Sequence, residues 1–262
     1  MGSDYTRMIH PNGRVRVDVT QHAVKERLSE GWTIDPFPDD REELQTKLIE
    51  HHKSQPAIVC ASGPSMHRYG PHLAELIPRS DYVTWGTNCV FNVARGEPLP
   101  CDYLMILDDA LWEQNHKQFM AYLKAHPYTL PCLAFTPHES IRYHHVGINM
   151  HATPDQQPAY RPGSYFHGSS SGVAAIQMAM HCGCNPIYLV GHDCGVIDGN
   201  THGHGVRSGH ELKDDYPQGL TMLAGYGVVA AHAKRIGIEV YNLSPNSRLT
   251  CFEKRDFYEE IR

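Results

Sequence analysis

Residues 168–193, GSSSGVAAIQMAMHCGCNPIYLVGHD, restrict the architecture more than any other stretch of this chain. A Ser/Gly loop runs into a helical segment that reads as amphipathic, and a Gly turn follows. The chain then enters a short apolar strand, Ile187 to Val190, that ends in Gly191-His192-Asp193. A loop–helix–turn–strand unit of this kind brings backbone amides to a helix N-terminus, where an anion is favoured, and leaves a polar group at the end of a strand. That is the build of a nucleotide site.

The same alternation recurs along the chain. Apolar strands are expected at 57–60, 82–85, 103–107, 130–134, 187–190 and 238–243, with helices at 71–77, 111–125, 170–182 and 218–235 between several of them. Short buried strands alternating with helices predict an α/β fold with a mostly parallel, Rossmann-like sheet and right-handed crossovers. Ligands of such sheets bind outside the carboxyl ends of the strands. Residues 1–40 read as an N-terminal appendage: RVRVDV (14–19) alternates like a strand, and 21–32 reads as a helix closed by Gly31, before Pro36 and Pro38 break the chain. A charged helix over 41–53 leads into the main domain, 41–262. Within it, 136–168 lacks periodicity and is rich in Pro, His and Tyr, the pattern of an irregular lid-like insertion.

A chain of 262 residues with 41% apolar residues has material for one large core. Its net charge of −6 and the lack of a long basic run argue against a strong duplex-DNA binder. No stretch approaches the roughly 20 apolar residues of a membrane span, and the N-terminus has no apolar signal core, so a cytoplasmic location is expected. Cys60, Cys89, Cys101 and Cys132 sit in or beside apolar runs, where buried free thiols are common. Cys182 and Cys184 are separated by one residue, too few for a zinc knuckle. Of the 19 histidines, pairs such as His51-His52 and His144-His145 read as surface or loop residues, whereas the group at 192–210 invites a functional reading.

Candidate residues follow each strand. Ser62-Gly63-Pro64-Ser65 after the first is either a plain turn or a loop whose hydroxyls and free amides hold a phosphate or ribose. Thr87-Asn88 after the second reads a base or sugar edge, or caps a helix. Asp108-Asp109 after the third holds a divalent metal such as Mg²⁺, acts as a base, or caps the next helix. Three serines and a glycine at 169–172 exceed what capping needs, which favours phosphate or nucleotide contact by Ser170, Ser171 and Gly172. Asp193 falls at the expected switch region. Past it, Asp198, His202, His204 and His210 offer acid/base groups or metal ligands, at spacings that fit no standard zinc motif. Ser244-Pro245-Asn246-Ser247 reads as a turn closing the same cleft.

Taken together, AIVCASGPSM, the pair Thr87-Asn88, GSSSGVAAIQMAM, NPIYLVGHD and VYNLSPNS resemble bacterial lipo-oligosaccharide sialyltransferases. The stretch GHDCGVIDGNTHGHG looks still more like the motility-associated flagellin glycosyltransferases. The superfamily also holds the 6-hydroxymethylpterin diphosphokinase-like proteins. The resemblance covers roughly residues 55–250. It implies a GT-A-type fold and a nucleotide-sugar donor, a CMP-sugar in the sialyltransferases. By position it carries nucleotide contacts onto Ser62, Gly63, Pro64, Ser65, Asn88, Ser170, Ser171, Gly172 and Asn246, and it puts Asp193 beside the ribose or phosphate. Those sialyltransferases place tyrosines after the strand-end Asp, where this chain has Gly195 and Thr201, with His202 next door. Their histidine general base aligns near Leu220, and the nearest upstream histidine is His210.

Three functions are therefore expected to compete. The first is a glycosyltransferase in which His210 or His202 moves the proton and Asp193, Asp108 or Asp109 positions the donor, with Mg²⁺ held by Asp108 and Asp109. Its acceptor is a glycan, protein, lipid or modified base, and related transferases make a homo-oligomer an expected state. The second is a Mg²⁺-dependent diphosphokinase acting on a pterin-like alcohol with ATP. The third is a catalytically silent nucleotide-binding module.

Overall fold

Residues that alternate between two buried faces build the centre of the molecule: Ile58 and Cys60 face one layer of helices, and Ala57 and Val59 the other. The computed structural model describes residues 5–9, 16–20, 25, 27–30, 33–34, 47–90, 98–133, 146–147, 149–151, 164–166, 170–200 and 217–262.

The chain opens with a three-stranded antiparallel sheet of β1 (Tyr5–Ile9), β2 (Arg16–Thr20) and β3 (Thr33–Ile34), ordered β2-β1-β3. The alternating run expected as a strand falls in β2. Lys25 and residues 27–29 are helical, inside the helix expected over 21–32, while Gly31, Pro36, Pro38 and residues 41–46 lie outside the described residues.

The main sheet begins with β4 (Ala57–Cys60), which leads through α1 (Met66–Leu76) to β5 (Val83–Thr87) and then β6 (Tyr103–Ile106). Helix α2 (Asp109–Ala125) precedes β7 (Leu130–Leu133) and β8 (Val146–Gly147). Two short parallel strands, β9 (Asn149–His151) and β10 (Ser164–Phe166), pair with each other. Helix α3 (Ser171–His181), β11 (Ile187–Val190), α4 (Pro217–Ile236), β12 (Val240–Asn242), β13 (Glu253–Lys254) and α5 (Phe257–Glu260) complete the chain. Eight strands run in the order β13-β12-β11-β4-β5-β6-β7-β8, every neighbouring pair parallel.

Helices cover both faces. Met66, Tyr69 and Leu73 of α1, Trp112 and Phe119 of α2 and Phe257 of α5 pack with Ile58, Leu104 and Val190 on one side. On the other, α3 and the Tyr226, Val229 and Ala233 side chains of α4 pack against Val59, Trp85, Met105 and Leu189. The expected α/β class and parallel sheet are present.

Three expectations are corrected. The helix expected over 71–77 begins five residues earlier, at Met66, with Pro71 in its interior rather than at its first position. Helix α3 is not amphipathic, since all eleven of its residues are buried between the sheet and α4. Its polar Gln177 tolerates this because Nε2 donates to the Val173 carbonyl at 3.0 Å. Finally, the insertion over 136–168 is not irregular throughout: β8 extends the main sheet, and β9 pairs with β10. The rest of that segment, His144-His145 included, lies outside the described residues.

Candidate functional site

The strand order reverses between β4 and β11. From β4 the chain steps outward through β5 to β8, then returns to pair with the other side of β4. A crevice opens at the carboxyl ends of two parallel strands whose following loops turn to opposite sides, which is where α/β sheets bind ligands. The loop after β4 is Ala61-Ser62-Gly63-Pro64-Ser65, and the residues after β11 are Gly191-His192-Asp193.

These two loops are stitched together. The Gly63 amide donates to the Gly191 carbonyl at 2.9 Å, and the Ser65 amide donates to Asp193 Oδ2 at 2.8 Å. A Cβ on Gly63 would fall on the Gly191 carbonyl and the Asp193 carboxylate, so only glycine allows this approach. The turn after β12 holds the other side. Ser244 Oγ accepts from the Gly191 amide at 3.1 Å and lies 3.0 Å from Ser65 Oγ. The Ser247 hydroxyl donates to the His192 carbonyl at 2.7 Å, and the Arg248 amide donates to the Asp193 carbonyl at 2.9 Å. Three consecutive residues at the end of β11 are thus each fixed by one turn, in which Asn246 is exposed.

Asp193 is buried, and its Oδ1 has no hydrogen-bond partner among the described residues. Burial pushes its carboxyl above the ordinary carboxylate range, and the Ser65 amide and hydroxyl pull the other way. A buried acceptor without a donor costs on the order of 1–3 kcal/mol, and a ligand that donates there recovers it.

His192, next to it, is occupied on both ring nitrogens. Nε2 lies 3.1 Å from the Val59 carbonyl and Nδ1 lies 2.8 Å from Tyr226 Oη. Burial lowers its pKa to about 4, so the ring is neutral at pH 7. Tyr226 continues to Ser170 Oγ at 3.3 Å. Gly172 sits beneath this contact, where a Cβ would fall on Tyr226 Oη and the His192 ring.

At the third wall, Asn88 follows β5 with a φ of 51°, a left-handed conformation that asparagine tolerates. Its Oδ1 accepts from the Ser171 hydroxyl at 2.9 Å. Ser170 caps α3, its Oγ accepting from the Gly172 amide at 3.1 Å, while the Val173 amide bonds the Ser170 carbonyl. The amides of Met66, His67 and Arg68 at the start of α1 bond the carbonyls of Gly63, Pro64 and Ser65. Of the loop amides expected from the sequence to be free, those of Gly63, Ser65 and Met66 are therefore taken by the chain itself.

The structure thus gathers Ser65, Asn88, Ser170, Ser171 and Asp193 around one crevice, with Ser62 and Pro64 in the loop that forms its wall. Asp108 stands apart, two strands from the reversal, and its Oδ1 accepts from the Leu111 amide at 3.1 Å as the cap of α2. The Asp109 side chain, Ser169, Thr201, His202, His204 and His210 lie outside the described residues. Among the described residues no three His, Cys, Asp or Glu side chains come together as a metal centre, and no helix is long and apolar enough to cross a membrane. Sequence reasoning missed Tyr226. Its one signal is a phenol among small residues, Ala224-Gly225-Tyr226-Gly227, in a helix where a buried hydroxyl needs a partner.

The parallel sheet, its helices on both faces and the crevice at its reversal define a doubly wound α/β protein with a switch-point ligand site. The chain belongs to the MptE-like family, described as 6-hydroxymethylpterin diphosphokinase MptE-like, whose model matches residues 39–199. It is similar to the MAf glycosyltransferase from Magnetospirillum magneticum AMB-1, with a TM-score of 0.53 at 14% identity, covering 92% of this chain and 41% of that one. It is also similar to the sialyltransferase CstII from Campylobacter jejuni, solved with cytidine-5'-monophosphate, with a TM-score of 0.45 at 15% identity over 77% of this chain and 85% of that chain. At these identities the likeness is one of fold. No curated protein matches the chain by sequence.

Proposed function

We propose that the switch-point crevice binds a nucleotide and that the chain is a glycosyltransferase moving a sugar from a nucleotide-sugar donor to an acceptor. The observation that carries the nucleotide reading is the unpartnered Asp193 Oδ1, a buried acceptor at the sheet reversal. A ribose diol supplies the donors it lacks. Ser62 and Ser65 lie in the loop after β4, Asn88 follows β5 at the same edge of the sheet, and the Arg248 side chain lies against Gly195, two residues past Asp193. The fold shared with the MAf glycosyltransferase supports sugar transfer as the reaction. In this reading Asp193 positions the donor, and His210 or His202 takes the acceptor proton or protonates the leaving phosphate.

A second reading, a diphosphokinase transferring pyrophosphate from ATP to a pterin-like alcohol, is favoured by the family description itself. Mg²⁺ is commonly held by one or two carboxylates together with substrate phosphates, and Asp193 is the carboxylate placed for it.

Thermal shift with CMP, UDP, CMP-sugars and ATP plus Mg²⁺, followed by turnover assays with each, separates the two. The glycosyltransferase reading expects stabilisation by a cytidine or uridine nucleotide and sugar release from its donor. Stabilisation by ATP plus Mg²⁺ alone, with pyrophosphate transfer to a pterin alcohol, would replace it with the kinase. Binding without transfer across the panel would leave a nucleotide-binding module.

A further inference from the structure

The contacts around Tyr226 have a direction, and the direction decides what kind of ligand atom the N-terminus of α3 accepts. A carbonyl oxygen only accepts, so the Val59 contact puts the His192 ring proton on Nε2. Nδ1 is then a bare lone pair, and the Tyr226 hydroxyl at 2.8 Å donates to it. Having spent its one proton, the Tyr226 oxygen accepts from the Ser170 hydroxyl at 3.3 Å. Ser170 Oγ takes the Gly172 amide at 3.1 Å on one of its lone pairs. One lone pair of Ser170, and no proton, remains for anything outside the chain.

Two further facts keep the direction from reversing. Reversal requires a second proton on His192, and burial keeps the ring neutral down to about pH 4. Burial likewise holds the Tyr226 phenol well above its usual range, so it stays a donor. Ser171 runs in the same sense: its proton goes to Asn88 Oδ1, leaving its oxygen as an acceptor.

We infer that Tyr226 is a positioning residue which, through the Ser170–Tyr226–His192–Val59 chain, makes the start of α3 an acceptor subsite for a ligand hydroxyl or amino group and not a phosphate cradle. This rests on the reading that the crevice holds a nucleotide, and it assigns which end of that nucleotide meets α3: the nucleoside and not the phosphates. A phosphate needs donors, and Ser170 could offer its proton only by withdrawing it from the Tyr226 oxygen.

The test compares cytidine with CMP as probes, by calorimetry on the wild type, Ser170→Ala, Tyr226→Phe and the double variant. The expected result is that Ser170→Ala weakens both probes by the same factor, roughly 3- to 10-fold for one lost hydrogen bond. Tyr226→Phe does likewise, and the double variant loses no more than either single one, the non-additivity of groups acting in series. A Ser170→Ala variant that loses CMP while keeping cytidine would make Ser170 a phosphate donor and overturn the inference, as would additive losses. Nitrogen-15 NMR of the free protein gives a check that needs no ligand: the His192 proton is expected on Nε2, and a proton on Nδ1 refutes the relay. Wild-type protein that binds neither probe, nor uridine, UMP, adenosine or ATP run beside them, defeats the nucleotide reading and the subsite together, a pattern distinct from binding with the wrong variant profile.

Discussion

The Ser65 amide and the Asp193 carboxylate, 128 positions apart in sequence, meet through one hydrogen bond of 2.8 Å across the line where the sheet reverses. One oxygen of Asp193 closes the crevice wall, and the other, buried and without a donor among the described residues, is left to what enters. In the proposed function, structural and binding roles are divided between two atoms of one side chain.

Gly63→Ala places a methyl group where the Gly191 carbonyl and Asp193 Oδ2 now sit. The stitch between the two loops has to open, at a cost of about 1–3 kcal/mol. The expected outcome is a lowered Tm together with loss of nucleotide-induced stabilisation. A variant that binds nucleotide as the wild type does removes the stitched loops from the site.

Asp193→Asn separates charge from shape. Burial raises the Asp193 carboxyl, so the folded chain binds that proton more tightly than the unfolded one. The stability it contributes is full below the ordinary carboxylate range and is lost as pH rises through the raised value. Relative to the wild type, Asp193→Asn is therefore expected to gain Tm as pH is raised from 4 to 8, by roughly 2–4 °C for each kcal/mol relieved, while nucleotide binding falls. A Tm difference that does not change with pH would contradict this.

His192 has the opposite sign. Its folded pKa is depressed from 6.5 to about 4, so the neutral ring supports the fold above pH 6.5 and that support is lost as pH falls toward 4. The slope is about 1.4 kcal/mol per pH unit for one such group. His181 is lowered by burial as well and adds to the acid sensitivity. Urea unfolding at pH 7 and pH 5 checks it: His192→Gln should start about 1–3 kcal/mol less stable through its lost hydrogen bonds and show a shallower decline.

Asp108→Ala tests a cap against a metal ligand. As the cap of α2 it should cost about 0.5–2 kcal/mol, largely restored by Asp108→Asn. Nucleotide affinity measured with and without Mg²⁺ should not change. Loss of Mg²⁺-dependent binding with an unaltered Tm would return Asp108 to the site.

Much of the frame was legible because strands of a parallel sheet, buried on both faces, read as unbroken apolar runs such as Ala57-Ile58-Val59-Cys60. The gathering of Ser65, Asn88, Ser170 and Asp193 was legible too, since all four follow strands or open a helix at the same edge. Helix α1 was harder, because Pro71 after Gly70 reads as a helix start when it lies mid-helix. Helix α3 misled through Gln177, whose polarity points to a solvent face but is satisfied inside, and through His181, which is buried at the helix end all the same. The His192–Tyr226 contact was illegible: nothing local distinguishes a histidine satisfied by a phenol 34 residues away from one in a polar loop.

The reversal of the sheet also sets an order in time. Strand β4 pairs with β5 soon after it is made, whereas its other edge waits for β11. At about 5–20 residues per second on the ribosome, Asp193 emerges on the order of ten seconds after Ser65. During that interval the nascent chain carries a bare apolar strand edge, open to pairing with another polypeptide. The crevice is a late product of synthesis, and a chaperone or a neighbouring nascent chain meets the half-built sheet before any nucleotide can.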